Sequence, residues 1–440
     1  VSFTNIESIY IPNLKMNKPN YFFSLLFLMS CLFTSYIGLA QGNFPTSYPD
    51  RIVLNATPDP TTSVAISWRT STDVKENFCE WQELSDTRIK PENSKSVKAT
   101  TRSVEFGNTN ETIIPANVHS AVIAGLTPGS KYLYRVGQGT FWSEWLELSI
   151  PSSNDQDEFS FVYFGDPQVS LKSEWSHVVR KAYQMVPDCR LMLYAGDIIN
   201  RSGSDMEWND WFYAGSYLFS TIPQILTPGN HDYKDGKLDI HWGMQFAQPQ
   251  NGPSGLKGTC FFVDYPNLRL ISIDSAAGSE LEDENGYEMT VQKAWLDSVL
   301  RTNAKKWVIV TTHLPFYSTK DTRDNPQLRK NFQPILEKYK VDLVLTGHDH
   351  SYGRGRASDT PGVKPSVVYV VSVSGPKLYP EGTKKWMERR GGNVQLFQKI
   401  TINQQSLTYQ SFKVSGEIFD SFKIECSKRD DKKFKNTKQD

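Results

Sequence analysis

From residue 159 onward the chain repeats one local pattern: a short apolar run, a turn, then a residue able to hold a metal ion. The run 159–164 leads into Gly165-Asp166-Pro167-Gln168, and 190–195 leads into Gly196-Asp197-Ile198-Ile199-Asn200-Arg201. The run 224–226 leads into Gly229-Asn230-His231-Asp232, 307–312 into His313, and 342–345 into Gly347-His348-Asp349-His350. Helical stretches at 171–185, 205–219, 290–300 and 326–339, and a strand at 268–273, lie between them. Apolar strands alternating with amphipathic helices confine the chain to a layered sheet with helices on its faces. In such sheets functional groups gather just beyond the carboxyl ends of the strands, so the five loops should meet on one edge. The glycines before Asp166, Asp197, Asn230 and His348 let the backbone turn sharply and approach an ion. One strand-end Asp is ordinarily a turn or cap residue, but five such ends in one chain point to a site. Oxygen and imidazole ligands supplied this way suit two adjacent divalent cations, and such a pair suits phosphate ester hydrolysis.

Ahead of residue 159 the pattern differs. Val64-Ala65-Ile66-Ser67-Trp68-Arg69 and Tyr132-Leu133-Tyr134-Arg135-Val136-Gly137 alternate apolar with polar, with the turn Gly125-Leu126-Thr127-Pro128-Gly129 between them. This predicts an all-β sandwich over 48–150 with Trp68 in its core. The polar stretch 152–157 marks the boundary with a second domain over 157–425. Residues 367–422 return to strands and read as the second half of a two-sheet sandwich. The charged segment 427–440 reads as a disordered tail.

At 440 residues the chain exceeds one ordinary domain. Lys+Arg and Asp+Glu both number 48, so bulk charge gives no reason to expect a nucleic-acid or membrane-surface partner. Met16-Asn17-Lys18, the apolar run 21–40 and Gly38-Leu39-Ala40 before Gln41 read as a secretory signal peptide over 16–40. Residues 1–15 then read as sequence upstream of the native start, and the mature protein as exported, periplasmic or secreted, without a membrane span. A permanent anchor and a lipid-modified Cys31 are the alternatives. Cys79, Cys189, Cys260 and Cys426 carry no C-x-x-C metal pattern and leave both disulfides and plain buried thiols open.

The five runs together resemble the calcineurin-like metallophosphoesterase superfamily. With the β-module, here similar to fibronectin type III, and the contexts His313-Leu314-Pro315-Phe316-Tyr317 and Gly347-His348-Asp349-His350-Ser351-Tyr352, they resemble purple acid phosphatases most. The resemblance implies a two-sheet α/β catalytic domain flanked by helices. It implies that Asp197 bridges two metals, that Asp166 and His350 hold the first, and that Asn230, His313 and His348 hold the second. It implies a metal-bound hydroxide attacking phosphate in line, with His231 as the acid that protonates the leaving oxygen.

Two positions depart from the purple acid phosphatase pattern. Asn200 stands where those enzymes have a tyrosine ligand to ferric iron, so a colourless protein with less bias toward ferric iron is expected. Gln168 stands where many relatives have a ligating His, and either ligates or supports a neighbour. The cations are therefore expected among Fe, Mn, Zn and Mg. Arg201 either binds phosphate or pairs with a carboxylate. His241, Tyr317 and Tyr352 are candidates for the substrate mouth beside Asn230 and His231, with Arg354 at its rim; His119 reads as structural. The resulting expectation is an exported phosphomonoesterase acting on a small phosphorylated substrate. A phosphodiesterase and a surface binding protein with a vestigial metal domain are the alternatives.

Overall fold

The strands after residue 159 are apolar on both sides because both sides are covered. In Phe159–Phe164, Phe161 and Tyr163 enter a core shared with Leu270, Ile309, Leu345 and Val370, which belong to a second sheet. The alternate residues Val162 and Phe164 enter a different core with Trp175, Val178, Trp208 and Trp211 of the helices. The period of two therefore sorts one strand between a facing sheet and a helical layer. The second sheet does the same: Val308, Val310 and Val344 pack on Leu296, Leu300, Phe332 and Leu336. The outcome is two facing sheets with helices on both outer faces.

The computed structural model describes residues 44–107, 112–154, 157–277, 287–426 and 431–437. The segments read as upstream sequence and signal peptide, Cys31 included, lie outside the described residues. No described helix is long and apolar enough to cross a membrane. Cys79, Cys189 and Cys260 are buried free thiols, and Cys426 is buried too.

Strands Phe159–Phe164, Met192–Ala195 and Gln224–Thr227 are parallel neighbours in an 11-stranded sheet. Leu268–Ser272, Trp307–Thr311 and Leu343–Thr346 are parallel neighbours in a 7-stranded one. The helix expected over 205–219 is instead Asp205–Gly215 followed by Tyr217–Thr221, broken at Ser216 with φ 42°. The break folds Phe219 back onto Trp211, ring centroids 4.0 Å apart, and leaves no room for a Cβ on Gly215.

The N-terminal sandwich has its own core of Leu54, Ile66, Trp68, Tyr134, Val136, Leu146 and Leu148. It is not a bead on a linker. Its first strand, Asp50–Ala56, pairs in parallel with Gln224–Thr227 through Asn55 and Gln224, so the 11-stranded sheet runs from one domain into the other. The Asn55 amide donates to the Gln224 carbonyl at 3.1 Å and accepts the Ala247 N–H at 2.9 Å.

The tail also differs from expectation. Lys432–Asn436 forms a strand against Ile418–Cys426 at the edge of the 11-stranded sheet. The charge that suggests disorder is matched locally: Lys435 pairs with Glu425, and Lys432 reaches the buried Asp342 at 2.7 Å.

Candidate metal centre

Each candidate ligand stands two to four residues beyond a parallel strand, so the loops arrive at one edge. The backbone there is unusual. Asp166, Gln168, Asp197, His348 and His350 all have left-handed φ, at 42°, 29°, 51°, 73° and 54°. A non-glycine residue in that region costs about 1–3 kcal/mol. Five of the eleven such residues among those described fall in this one place, so the strain is concentrated at the site. Two glycines are needed for space alone: a Cβ on Gly229 would enter the Asp197 carboxylate, and one on Gly347 the Asp166 carboxylate.

The side chains meet in two groups that share one member. The ligand atoms of Asp197, His313 and His348 lie within 4.8 Å of one another, and so do those of Asp166, Asp197 and His350. Asn230 joins the first group, with Oδ1 3.0 Å from His313 Nε2 and 2.9 Å from His348 Nδ1. Backbone amides fix the two carboxylates: the His231 N–H donates to Asp197 Oδ1 at 2.8 Å, and the His348 N–H to both Asp166 oxygens at 2.9 and 2.8 Å. Gln168 Nε2 donates to Asp197 Oδ2 at 2.7 Å, which leaves Gln168 Oε1 buried without a hydrogen-bond partner.

Proton placement tests whether cations fit. His313 Nδ1 donates to the Ala195 carbonyl at 2.9 Å, and His350 Nδ1 to the Lys377 carbonyl at 2.6 Å. Each neutral ring then turns a bare Nε2 inward, the usual way a protein orients a ligating imidazole. His313 Nε2 faces His348 Nδ1 at 3.2 Å, Asn230 Oδ1 at 3.0 Å and Asp197 Oδ1 at 3.3 Å. Four acceptor atoms with no proton among them repel unless something positive joins them. Without a metal that charge falls on His313: burial lowers its pKa, but Asp197 outweighs burial and raises it to about 9. Burial, with the charge of His313, pushes His348 down to about 2, and burial pushes His350 down to about 4, so both are neutral near pH 7. Burial and then Asp197 raise Asp166 well above the carboxylate range, despite the opposing pull of His313. Asp197 is held below its usual range because His313 and His231 overcome its burial. One spare proton and one spare carboxylic acid are what two cations displace. The donor set fits them, with Asp197 between, His313, His348 and Asn230 on one side, and Asp166, His350 and Gln168 Oε1 on the other.

His231 is half-buried beside Asn230, which is exposed. Its Nδ1 donates to the Asn200 carbonyl at 2.7 Å, leaving Nε2 for a substrate. Asn200 thus enters through its main chain. Arg201 pairs with Glu207 at 2.6 Å, its side chain 62% exposed. Sequence reasoning gave no role to Asp232, the last residue of Gly-Asn-His-Asp. It is fully buried and accepts the Gly229 and Ile198 N–H groups at 2.7 and 3.3 Å, tying the Asn230 loop to the Asp197 loop.

The expected substrate mouth is a correction. His241 is fully buried, stacked on Phe106 of the N-terminal module, and bonded to Asp239 at 2.7 Å and Asp205 at 3.1 Å. Tyr317 sits under Trp386 and Tyr369 and bonds Gln333 at 3.1 Å. Tyr352 is fully buried and gives its hydroxyl to Asp420 at 2.7 Å, and Arg354 pairs with the same carboxylate at 2.9 Å. All four are held in the core by partners far along the chain.

Comparison with known proteins bears on the domains and the fold. The calcineurin-like phosphoesterase family matches residues 159–352, and the purple acid phosphatase N-terminal domain matches residues 49–149. A relative in Arabidopsis thaliana, named probable inactive purple acid phosphatase 24, is 24% identical over 370 residues, 72% of this chain and 58% of its own. Another from that plant, Fe(3+)-Zn(2+) purple acid phosphatase 12, is 28% identical over 285 residues, 60% of this chain and 57% of its own. The chain thus spans little more than half the length of these curated relatives. A solved purple acid phosphatase from yellow lupin seeds superposes with a TM-score of 0.72 at 20% identity, over 86% of this chain and 74% of that one. The chain carries a calcineurin-like phosphoesterase domain over residues 159–352. With the N-terminal domain included, its architecture is that of the purple acid phosphatases.

Proposed function

We propose that the chain is an exported phosphatase that hydrolyses phosphate monoesters at a two-cation centre. The observation that carries this reading is Asp197, shared by two ligand groups whose bare acceptor atoms converge. Two divalent cations bound there supply an activated water and neutralise charge on the phosphoryl oxygens. The residues of the chain do the rest. Asp197 and Asp166, pinned by the His231 and His348 amides, hold the centre without rearranging. His231, with Nδ1 engaged by Asn200, carries on Nε2 the proton that the leaving oxygen needs. Asn230 is exposed and His348 half-buried, so a substrate has access from that side.

The two relatives are named as a probable inactive purple acid phosphatase and an Fe(3+)-Zn(2+) purple acid phosphatase. This chain keeps Asp166, Asp197, Asn230, His313, His348 and His350 together, which favours the active reading. It has Asn200 at the tyrosine position, so the purified protein should be colourless. The test is p-nitrophenyl phosphate hydrolysis with added Mn, Zn, Fe or Mg, together with elemental analysis. Turnover of the monoester well above that of bis-p-nitrophenyl phosphate is expected. Asp197→Ala should lose both metals and activity. His231→Ala should keep the metals and slow turnover by ~100-fold or more. No turnover with any of the four metals sinks the enzyme reading.

A further inference from the structure

One carboxylate beside the site has no part in the reaction as described. Ser204-Asp205-Met206-Glu207 has the spacing of a capping box, and the Ser204 hydroxyl accepts the Glu207 N–H at 3.3 Å where helix Asp205–Gly215 begins. In an ordinary box the Glu reaches back to the N–H of the capping residue. Glu207 reaches further back. Its Oε2 accepts the N–H of Asn200 at 2.8 Å and of Arg201 at 2.9 Å, and its Oε1 accepts Arg201 Nε at 2.6 Å.

The peptide plane gives this contact its consequence. The Arg201 N–H and the Asn200 carbonyl belong to one planar trans peptide, so they point in opposite directions. Fixing the N–H on Glu207 aims the carbonyl away from Glu207, and it meets His231 Nδ1 at 2.7 Å. Glu207 is 18% exposed, so water competes weakly for these bonds. The far end of the loop is anchored separately, by the Gly203 N–H on Asp239 Oδ2 at 2.6 Å. Loss of Glu207 therefore frees mainly the peptide that faces His231.

We propose that Glu207 is a positioning residue for His231, acting through the Asn200–Arg201 peptide. The inference rests on the reading of His231 as the acid. A misaligned acid harms poor leaving groups more than good ones, because a good leaving group departs without full protonation. Glu207→Gln should therefore lower kcat on phenyl phosphate by ~10-fold and on p-nitrophenyl phosphate by ~3-fold or less. KM, metal content and melting temperature should stay near those of the parent. His231→Ala should show the same bias more strongly. Ser204→Ala weakens the helix start without touching Asn200 and should show no bias. Equal slowing of both substrates by Glu207→Gln, or the same bias in Ser204→Ala, overturns the positioning role. A flat response of His231→Ala refutes the acid reading, and the positioning role with it.

Discussion

At the scale of single residues, the site depends on space as much as on ligands. Gly229 has ordinary extended backbone, so its requirement is only that the Asp197 carboxylate occupies the place of a side chain. Gly229→Ala should leave a folded protein with far less bound metal, read by elemental analysis; two metals per chain in the variant would refute this. His119 makes a different residue-level case. It is fully buried between the hydroxyls of Thr70 and Thr101, at 2.7 and 2.8 Å, and burial lowers its pKa from 6.5 to about 4. The folded chain thus excludes a proton that the unfolded chain accepts below pH 6.5. Stability from this group is full above that pH, declines as pH falls to about 4, and levels off below, a loss of ~3 kcal/mol at most. His119→Gln should flatten that part of the melting temperature against pH; an unchanged slope would assign the acid sensitivity elsewhere. That the candidate ligands meet was legible because strand, turn and candidate are neighbours in sequence. The burial of His241 was not legible. Its nearness to His231 in the chain suggested the mouth, but Phe106, far upstream, covers it.

At the scale of elements, the same distinction between local and distant contacts decides what could be read. Strands and helices of the catalytic domain follow from periodicity, and the expected spans fall within a few residues of the observed ones. The C-terminal strand was misread because its lysines suggest solvent. The strand's partners lie elsewhere in the chain: the Phe434 ring is tilted against Phe422 at 5.3 Å, and Lys432 lies over Trp307 at 5.0 Å while pairing with Asp342. Asp342 is 3% exposed and also caps the Val308 N–H at 2.9 Å, so it keeps one partner when Lys432 is lost. Lys432→Ala should then destabilise by about 2 kcal/mol. The measurement is the denaturant midpoint at constant slope, and a variant as stable as the parent would mean that the strand is only loosely held.

At the scale of the whole molecule, the two domains read from the sequence share one 11-stranded sheet. Pairing of Asp50–Ala56 with Gln224–Thr227 joins segments 169 positions apart, and nothing in either segment announces its partner. Beside that seam Arg51 makes a two-point bond to Asp205 at 2.7 and 2.9 Å, with both side chains almost fully buried. Asp205 opens the helix that carries Glu207, so the N-terminal module braces the element that supports the Asn200 loop. A buried charge stranded by loss of its partner costs about 3–5 kcal/mol. Asp205 keeps His241 at 3.1 Å and Arg69 at 3.8 Å, so the loss here is about 2–3 kcal/mol. Arg51→Ala should therefore lower the stability of the whole chain by that order and leave a single unfolding transition. A fragment beginning at residue 157 faces a larger loss. Gln224–Thr227 becomes an open sheet edge, Asp205 loses Arg51, and Phe106 no longer covers His241. Such a fragment should aggregate or melt without cooperativity, whereas a fragment that melts sharply near the temperature of the intact chain would show the module to be dispensable.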